Sequence, residues 1–340
     1  MRFGPVKTAE AAGAILAHSV SLAEGRLRKG KVLDAADIAR LIANGMTEIT
    51  VARLDETDQH EDVAALEIAK ALVKGDGLIL KQVGTGRVNI HAKSAGIAGI
   101  NAAKINAVNA VDPMITVATV PRWQRQGPGG MVATVKIIAY GVAQANVRQA
   151  ATVGQGALAL HHPVLNRAVL VQTQVDDGDD GAKGYRETAK RLQRLAVALA
   201  PRTMVAHSAP HLSAALTSAV AQADLILILT GSATSDVADV APTALRAAGG
   251  SLTYFGMPVD PGNLLFLGQL YDVPVIGLPG CAKSPALNGA DWVMERLICG
   301  ISVSGDDIAG MGVGGLLKEI HTRPRPREAN DKDANEIGAG

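Results

Sequence analysis

The sequence predicts an α/β protein: a mostly parallel sheet flanked by helices, preceded by an N-terminal α+β region that contains a small β-rich domain. Three observations predict it. From Ala168 onward short apolar runs alternate with amphipathic stretches, the pattern of parallel strands joined by crossover helices. One of those runs, Leu225 to Leu229, is apolar throughout, as a strand buried on both faces must be. Between Asp224 and Ser284 three glycine-bearing turns are strung onto apolar runs, and their small residues let backbone N–H groups approach a ligand closely.

Taken in order, residues 8–24 place Ala, Ile, Leu and Val at helical spacing and predict an amphipathic helix. An extended piece at 31–33 leads to a helix over 34–43 capped by Asp34 and ended by Gly45. Residues 48–53 are rich in β-branched side chains and predict a strand, and 60–73 predict a helix terminated at Gly75 and Gly77. Between 78 and 148 the chain alternates short apolar runs with Gly, Asn and Pro. Strands are expected at 115–120 and 131–140 around the turn Gln126-Gly-Pro-Gly-Gly130, with a helix near 104–108. The second half predicts strands at 168–173, 204–206 and 225–229, and helices at 183–199, 211–222, 242–248 and 292–299. The expected division is a helical and linker region over 1–77, a β-rich domain over 78–150, an α/β domain over 165–318 and a disordered polar tail over 319–340.

Composition narrows the function. Apolar residues make up 48% of the 340, so the core can be large, but aromatics are only 3%. So few rings argue against base-stacking platforms, and a net charge of +1 argues against nucleic acid or an anionic membrane as the main partner. Two cysteines, Cys281 and Cys299, make neither a disulfide framework nor a zinc site alone, which suits a reducing, cytoplasmic setting. No apolar run approaches the ~18 residues of a membrane span, and the N-terminus shows no signal-peptide core.

The residues able to do chemistry gather in the three turns. Thr230-Gly-Ser-Ala-Thr-Ser-Asp-Val-Ala-Asp239 leads into a helix, so Asp236 or Asp239 can serve as a helix cap, or Asp239 can hold a divalent ion beside a phosphate cradled by the loop. Pro261-Gly262-Asn263 reads as a turn. Pro279-Gly-Cys-Ala-Lys-Ser284 places Lys283 and Ser284 behind a strand end, without the spacing of a nucleotide P-loop. Cys281 reads as a small buried or semi-buried filler. The acidic stretch Asp176, Asp177, Asp179 and Asp180 fails the EF-hand template and reads as a solvated loop, and His161 and His162 sit at the expected domain junction.

Together the three turns resemble the molybdopterin-binding domain of molybdenum-cofactor biosynthesis proteins, a family that includes the molybdopterin adenylyltransferases and molybdenumtransferases. Thr230, Gly231 and Asp239 match its Thr/Ser-Gly-Gly-x-Ser-x-Gly-x-x-Asp signature, with Ser232, Thr234 and Asp236 as departures. Pro261 and Gly262 match its Pro-Gly-Lys-Pro turn, with Asn263 in place of the lysine. Gly277-Leu-Pro279-Gly280 and Ser284 match its Gly-Leu-Pro-Gly-Asn-Pro-x-Ser turn, with Cys281 and Ala282 departing. Ala14-Ile-Leu-Ala-His-Ser-Val20, Leu27-Arg-Lys-Gly30 and 37–45 resemble the opening of the molybdenumtransferases, whose usual C-terminal β-barrel is not expected within these 340 residues.

The resemblance implies molybdopterin or its adenylated form as ligand, bound by Thr230, Gly231, Ser232, Thr234, Asp236, Pro261, Gly262, Asn263, Pro279, Gly280, Lys283 and Ser284. It also implies Mg²⁺ on Asp239, which would make Asp239 catalytic in a magnesium-dependent molybdate insertion, and a homo-oligomer that meets molybdoenzymes or other proteins of the pathway. One departure bears on turnover. The molybdenumtransferases carry Thr-Gly-Asp-Glu after the first strand of this domain, whereas Thr173 is followed by Gln174 and Val175. The alternative is a non-catalytic carrier or insertion partner that keeps the cofactor protected, and the broadest alternative is an ordinary nucleotide-binding α/β protein.

Overall fold

The computed structural model describes residues 1–176, 178, 180–260 and 262–317. The tail expected over 319–340 lies outside the described residues, as do Pro261, Asp177 and Asp179. The chain divides into two compact units, one of residues 1–94 and 98–161, the other of 95–97 and 162 onward.

In the first unit, strands Arg2–Lys7, Glu48–Arg53 and Ile15–Leu16 form an antiparallel sheet in that order. The helix Ala35–Ala43 packs its apolar side on it, and Leu16, Leu33, Leu41 and Val51 form a small core. Asp34 and Asp37 cap that helix reciprocally, and Gly45 takes φ +78° just beyond its end. The helix expected over 8–24 does not form. A single turn at Thr8–Glu10 gives way to Ile15–Leu16 and to the hairpin Val20–Leu22 with Gly25–Leu27. Gly13 and Gly25 take φ of +73° and +115°, outside the helical region, and Ile15 and Leu16 lie opposite Ala52 and Val51 in the sheet. Tertiary pairing overrides a periodicity that glycine had already interrupted.

The larger core of the first unit lies under a four-stranded antiparallel sheet ordered Ile115–Thr119, Met131–Ile137, Arg87–Ala92 and Leu78–Gly84. Helices Glu61–Leu72, Ala102–Asn109 and Gln144–Gly154 contribute Ala64, Ile68, Leu72, Ile105, Val108 and Val147 to that core.

The second unit is built on a mixed sheet ordered Ala198–Leu199, Arg167–Gln174, Leu225–Leu229, Val273–Gly277, Asn263–Leu270 and Ser251–Met257, with Thr203–Ala206 also pairing Arg167–Gln174. Pairings from Ala198–Leu199 through Val273–Gly277 are parallel, and the last two are antiparallel. The alternation read from the sequence is thus real for the central strands, and the sheet closes with a hairpin. Helices Ala182–Gln193, Ala209–Ala219, Val240–Ala247 and Gly289–Ile298 accompany it. The helix expected over 183–199 stops at Gln193, since Ala196 turns to φ +57° and lets Ala198–Leu199 pair with Arg167 and Ala168. Leu225, Ile226, Leu227, Ile228 and Leu229 are all buried, as a doubly covered central strand requires.

Candidate functional site

The strand register brings the three turns to one end of the sheet. Gln172 lies opposite Leu229, and Ile228 opposite Gly277, so Thr173, Thr230 and Leu278 leave the carboxyl ends of adjacent parallel strands side by side. This edge is where open α/β sheets bind ligands. The second turn arrives differently from the other two: it joins the antiparallel hairpin Ser251–Met257 and Asn263–Leu270. Because Phe266 pairs with Gly277, Asn263 still emerges at the same end of the sheet.

A cleft of about 70 Å³ opens there, lined by Gln172, Thr173, Gln174, Val175, Asp176, Gly181, Met204, Leu229, Thr230, Gly231 and Lys283. Two of the three turns meet in it, the first through Thr230 and Gly231 and the third through Lys283. Thr173 is the hub of its wall. Its hydroxyl accepts from Gly231 N–H at 3.0 Å and shares a 2.7 Å hydrogen bond with Nδ1 of His207. Only glycine fits at 231, since a Cβ would stand 2.7 Å from the carbonyl oxygen of Thr173 and 3.2 Å from Val175. Thr230 and Thr234 are buried with their hydroxyls 3.2 Å apart, which ties the first turn back on itself. Gln172 is 2% exposed, and its Nε2 donates to the Gly181 carbonyl at 2.9 Å. Its Oε1 is buried with no hydrogen-bond partner among the described residues.

The third turn is held by a residue the sequence reading passed over. Arg191, 6% exposed, donates through Nε to Asp291 at 2.6 Å and through its terminal nitrogens to the carbonyls of Ala282, Ser284 and Ala286. Asp291 in turn accepts from Asn288 N–H, and Asn288 bonds both Cys281 Sγ and Asn263. The signal for Arg191 was present in the sequence. Gly184, Glu187, Thr188, Arg191 and Leu192 are the buried face of its helix, so a charged residue occupies a core-facing phase and requires partners. Asn263 is 5% exposed and engages Asn288 and Leu265 N–H rather than lining the cleft. Cys281 is exposed, not the buried filler expected, because the turn at Gly280–Lys283 tucks Ala282 inward instead.

The remaining residues of the resemblance lie outside the cleft lining. Ser232 and Asp236 are exposed, and Gly262, at φ +91°, belongs to the hairpin turn. Pro279 precedes the turn at Gly280–Lys283, and the Ser284 hydroxyl accepts from Ala286 N–H. Asp239 caps Val240–Ala247: Oδ1 accepts from Val240 N–H at 2.6 Å and Oδ2 from Ser235 N–H at 2.9 Å. Asp236 accepts from Ala238 N–H. With both oxygens of Asp239 engaged by backbone donors, and no cluster of three His, Cys, Asp or Glu among the described residues able to hold an ion, these side chains do not fit a preformed magnesium site.

A family described as a domain of unknown function (DUF8806) matches residues 5–53. Those residues cover the small core of the first unit and all of its three-stranded sheet except Arg2, Phe3 and Gly4. No curated protein sequence matches the chain. Among solved structures, the chain is similar to a molybdopterin biosynthesis MoeA protein from Pyrococcus horikoshii, with 12% identity over 88% of this chain and 75% of that one and a TM-score of 0.32. A molybdenum cofactor biosynthesis protein from Pyrococcus furiosus gives 12% identity, 89% and 66% coverage and a TM-score of 0.25, so the chain spans just under two thirds of it. A second structure of a Pyrococcus horikoshii MoeA protein gives 10% identity, 88% and 75% coverage and a TM-score of 0.26. Likenesses this distant leave the argument about function to the residues of the cleft. Among the described residues no helix is long and apolar enough to cross a membrane.

Proposed function

We propose that the second unit binds molybdopterin or its adenylated form and serves molybdenum-cofactor maturation as a carrier or insertion partner. The observation that supports this reading best is the meeting of two sequence-distant turns, Thr230-Gly231 and the one carrying Lys283, beside Thr173 in one strand-end cleft. Both turns belong to the molybdopterin-binding resemblance. The cleft is small, about 70 Å³, so it takes one edge of the ligand while the rest lies along the turns. In the bound state Lys283 supplies positive charge beside an anionic group, and Gly231 lets the first turn pack closely against Thr173 and Val175 in the cleft wall.

Binding without turnover is favoured over molybdate insertion by the engagement of both Asp239 oxygens as a helix cap and by Gln174 and Val175 following Thr173. A charge-handling step needs charged or metal-bound groups aimed at the reacting atoms, and among the described residues the cleft lining offers Asp176 and Lys283 alone. The protein partners in this reading are molybdoenzymes or other proteins of the pathway, and the assembly is a homo-oligomer.

The test is co-expression with the molybdopterin pathway followed by mass spectrometry of what co-purifies. A retained pterin, lost in Gly231→Val, is the expected result. Failure of the wild-type protein to retain any pterin overturns the reading. Turnover of adenylated molybdopterin with molybdate and Mg²⁺, abolished in Asp239→Ala, would replace the carrier with the enzyme.

A further inference from the structure

The pterin reading assigns no role to Gln172, yet Gln172 is the cleft residue whose bonding is incomplete. It is 2% exposed, lies at the carboxyl end of Arg167–Gln174 and lines the cleft beside Thr173, Gly181 and Leu229. The orientation of its amide is fixed by chemistry. Nε2 stands 2.9 Å from the Gly181 carbonyl, and two acceptors would repel there, so the nitrogen faces Gly181 and the oxygen faces away. That oxygen, Oε1, is buried and accepts from no donor among the described residues. A buried acceptor left without a donor carries a desolvation cost, which a structural glutamine buried in a core does not normally retain.

The surroundings reinforce the point. Gly181 stands at φ +70°, and a Cβ there would lie 2.7 Å from Gln172 Nε2, so the amide is wedged against glycine backbone rather than free to seek another partner. Gly184 crowds it from the same helix, where an added Cβ would lie 3.0 Å from Nε2. The amide is held in place on one side and unsatisfied on the other.

We propose that Gln172 Oε1 is a specificity-determining acceptor that takes an N–H donor from the bound ligand at the inner end of the cleft. Resting on the pterin reading above, this assigns the inner end to the amino-bearing edge of the heterocycle and leaves the anionic side chain toward Lys283. The class of ligand selected is an amino-substituted heterocycle. One whose inner edge carries only acceptors would leave Oε1 unpaired and face a second acceptor, and is rejected.

The experiment uses the full chain and two probes, pterin-6-carboxylate and its 2-deamino analogue, with affinities measured by calorimetry for the wild type, Gln172→Met and Gln172→Glu. The wild type is expected to prefer the amino compound by roughly tenfold, the discrimination one buried hydrogen bond supplies. Gln172→Met, similar in shape but without the acceptor, loses that preference, and Gln172→Glu, which keeps an acceptor, retains it. Urea midpoints of the variants establish that they are folded. Wild-type binding of both probes with equal affinity overturns the role of Gln172 and leaves pterin binding standing. So does a preference that persists in Gln172→Met. Absence of binding by the wild type to either probe overturns the pterin reading and this inference with it.

Discussion

Arg191 is the residue on which the third turn most depends. Its guanidinium satisfies three backbone carbonyls and a buried carboxylate, Asp291, which is 1% exposed. Removing it leaves an unpaired buried charge, so Arg191→Met is expected to lower stability by ~3 kcal/mol, read as a shift in the urea midpoint. Arg191→Lys recovers only part of the loss, because an ammonium cannot fork toward Asp291 and the carbonyls together. The two thiols separate in the same local way. Burial pushes the Cys299 thiol up to about 12, with Glu295 adding to it, while Cys281 is exposed. At pH 8 a thiol-selective reagent should label Cys281 quickly and Cys299 only under denaturant, and rapid labelling of both would contradict the burial of Cys299. In the first unit, burial raises the Glu61 carboxyl above its ordinary range despite Lys136 Nζ at 3.6 Å. The folded state therefore holds that proton more tightly than the unfolded chain, and ionisation above the raised value costs stability. Glu61→Gln should raise the urea midpoint at pH 8, with the advantage shrinking as pH falls through the carboxyl range and gone below the unfolded value.

Among the elements, those legible in the sequence were the ones whose local signals agreed with their tertiary role. Leu225–Leu229 was apolar throughout and is a central strand, and Asp34 with Gly45 bracketed a helix that forms as expected. Asp239 stood three residues before Pro242 and caps Val240–Ala247. Illegible elements owed their form to distant partners. Ile15–Leu16 is a strand because Glu48–Arg53 pairs with it, and the second turn sits in a hairpin because Ser251–Met257 folds back on Asn263–Leu270. Likewise, periodicity could mark Arg191 as core-facing but could not name its four partners, which are all more than ninety residues away. The capping role of Asp239 yields its own prediction. Asp239→Ala should lower stability by about 1 kcal/mol through the lost cap, and Asp239→Asn by less, since asparagine also caps well. If Asp239 instead held magnesium, adding Mg²⁺ would raise the wild-type melting temperature and leave Asp239→Asn unmoved, and that outcome would reverse the assignment.

At the scale of the whole molecule two cavities, one in each unit, are candidates for the anionic pterin proposed above. The first unit carries a groove of about 750 Å³ lined by Lys70, Lys74 and Lys104, broad enough for an entire pterin and positively charged. The strand-end cleft of the second unit is an order of magnitude smaller, about 70 Å³, but it holds the features that discriminate: the glycine at 231, the clamped third turn and the unpaired Gln172 Oε1. Size and charge alone would choose the groove. Its lysines, however, stand where helices Glu61–Leu72 and Gln144–Gly154 end, and Lys104 already donates to the Gln155 carbonyl at 2.6 Å, the usual work of cations at helix carboxyl termini. Affinity for a defined heterocycle comes from preorganised, directional partners rather than from open volume. Hydrogen exchange of the full chain with and without pterin-6-carboxylate decides between them. Slowed exchange is expected over 172–176, 229–234 and 280–284, with 70–75 and 152–156 unchanged, because a ligand protects the backbone it orders. Protection over the lysine groove with none at Gly231 would move the site to the first unit.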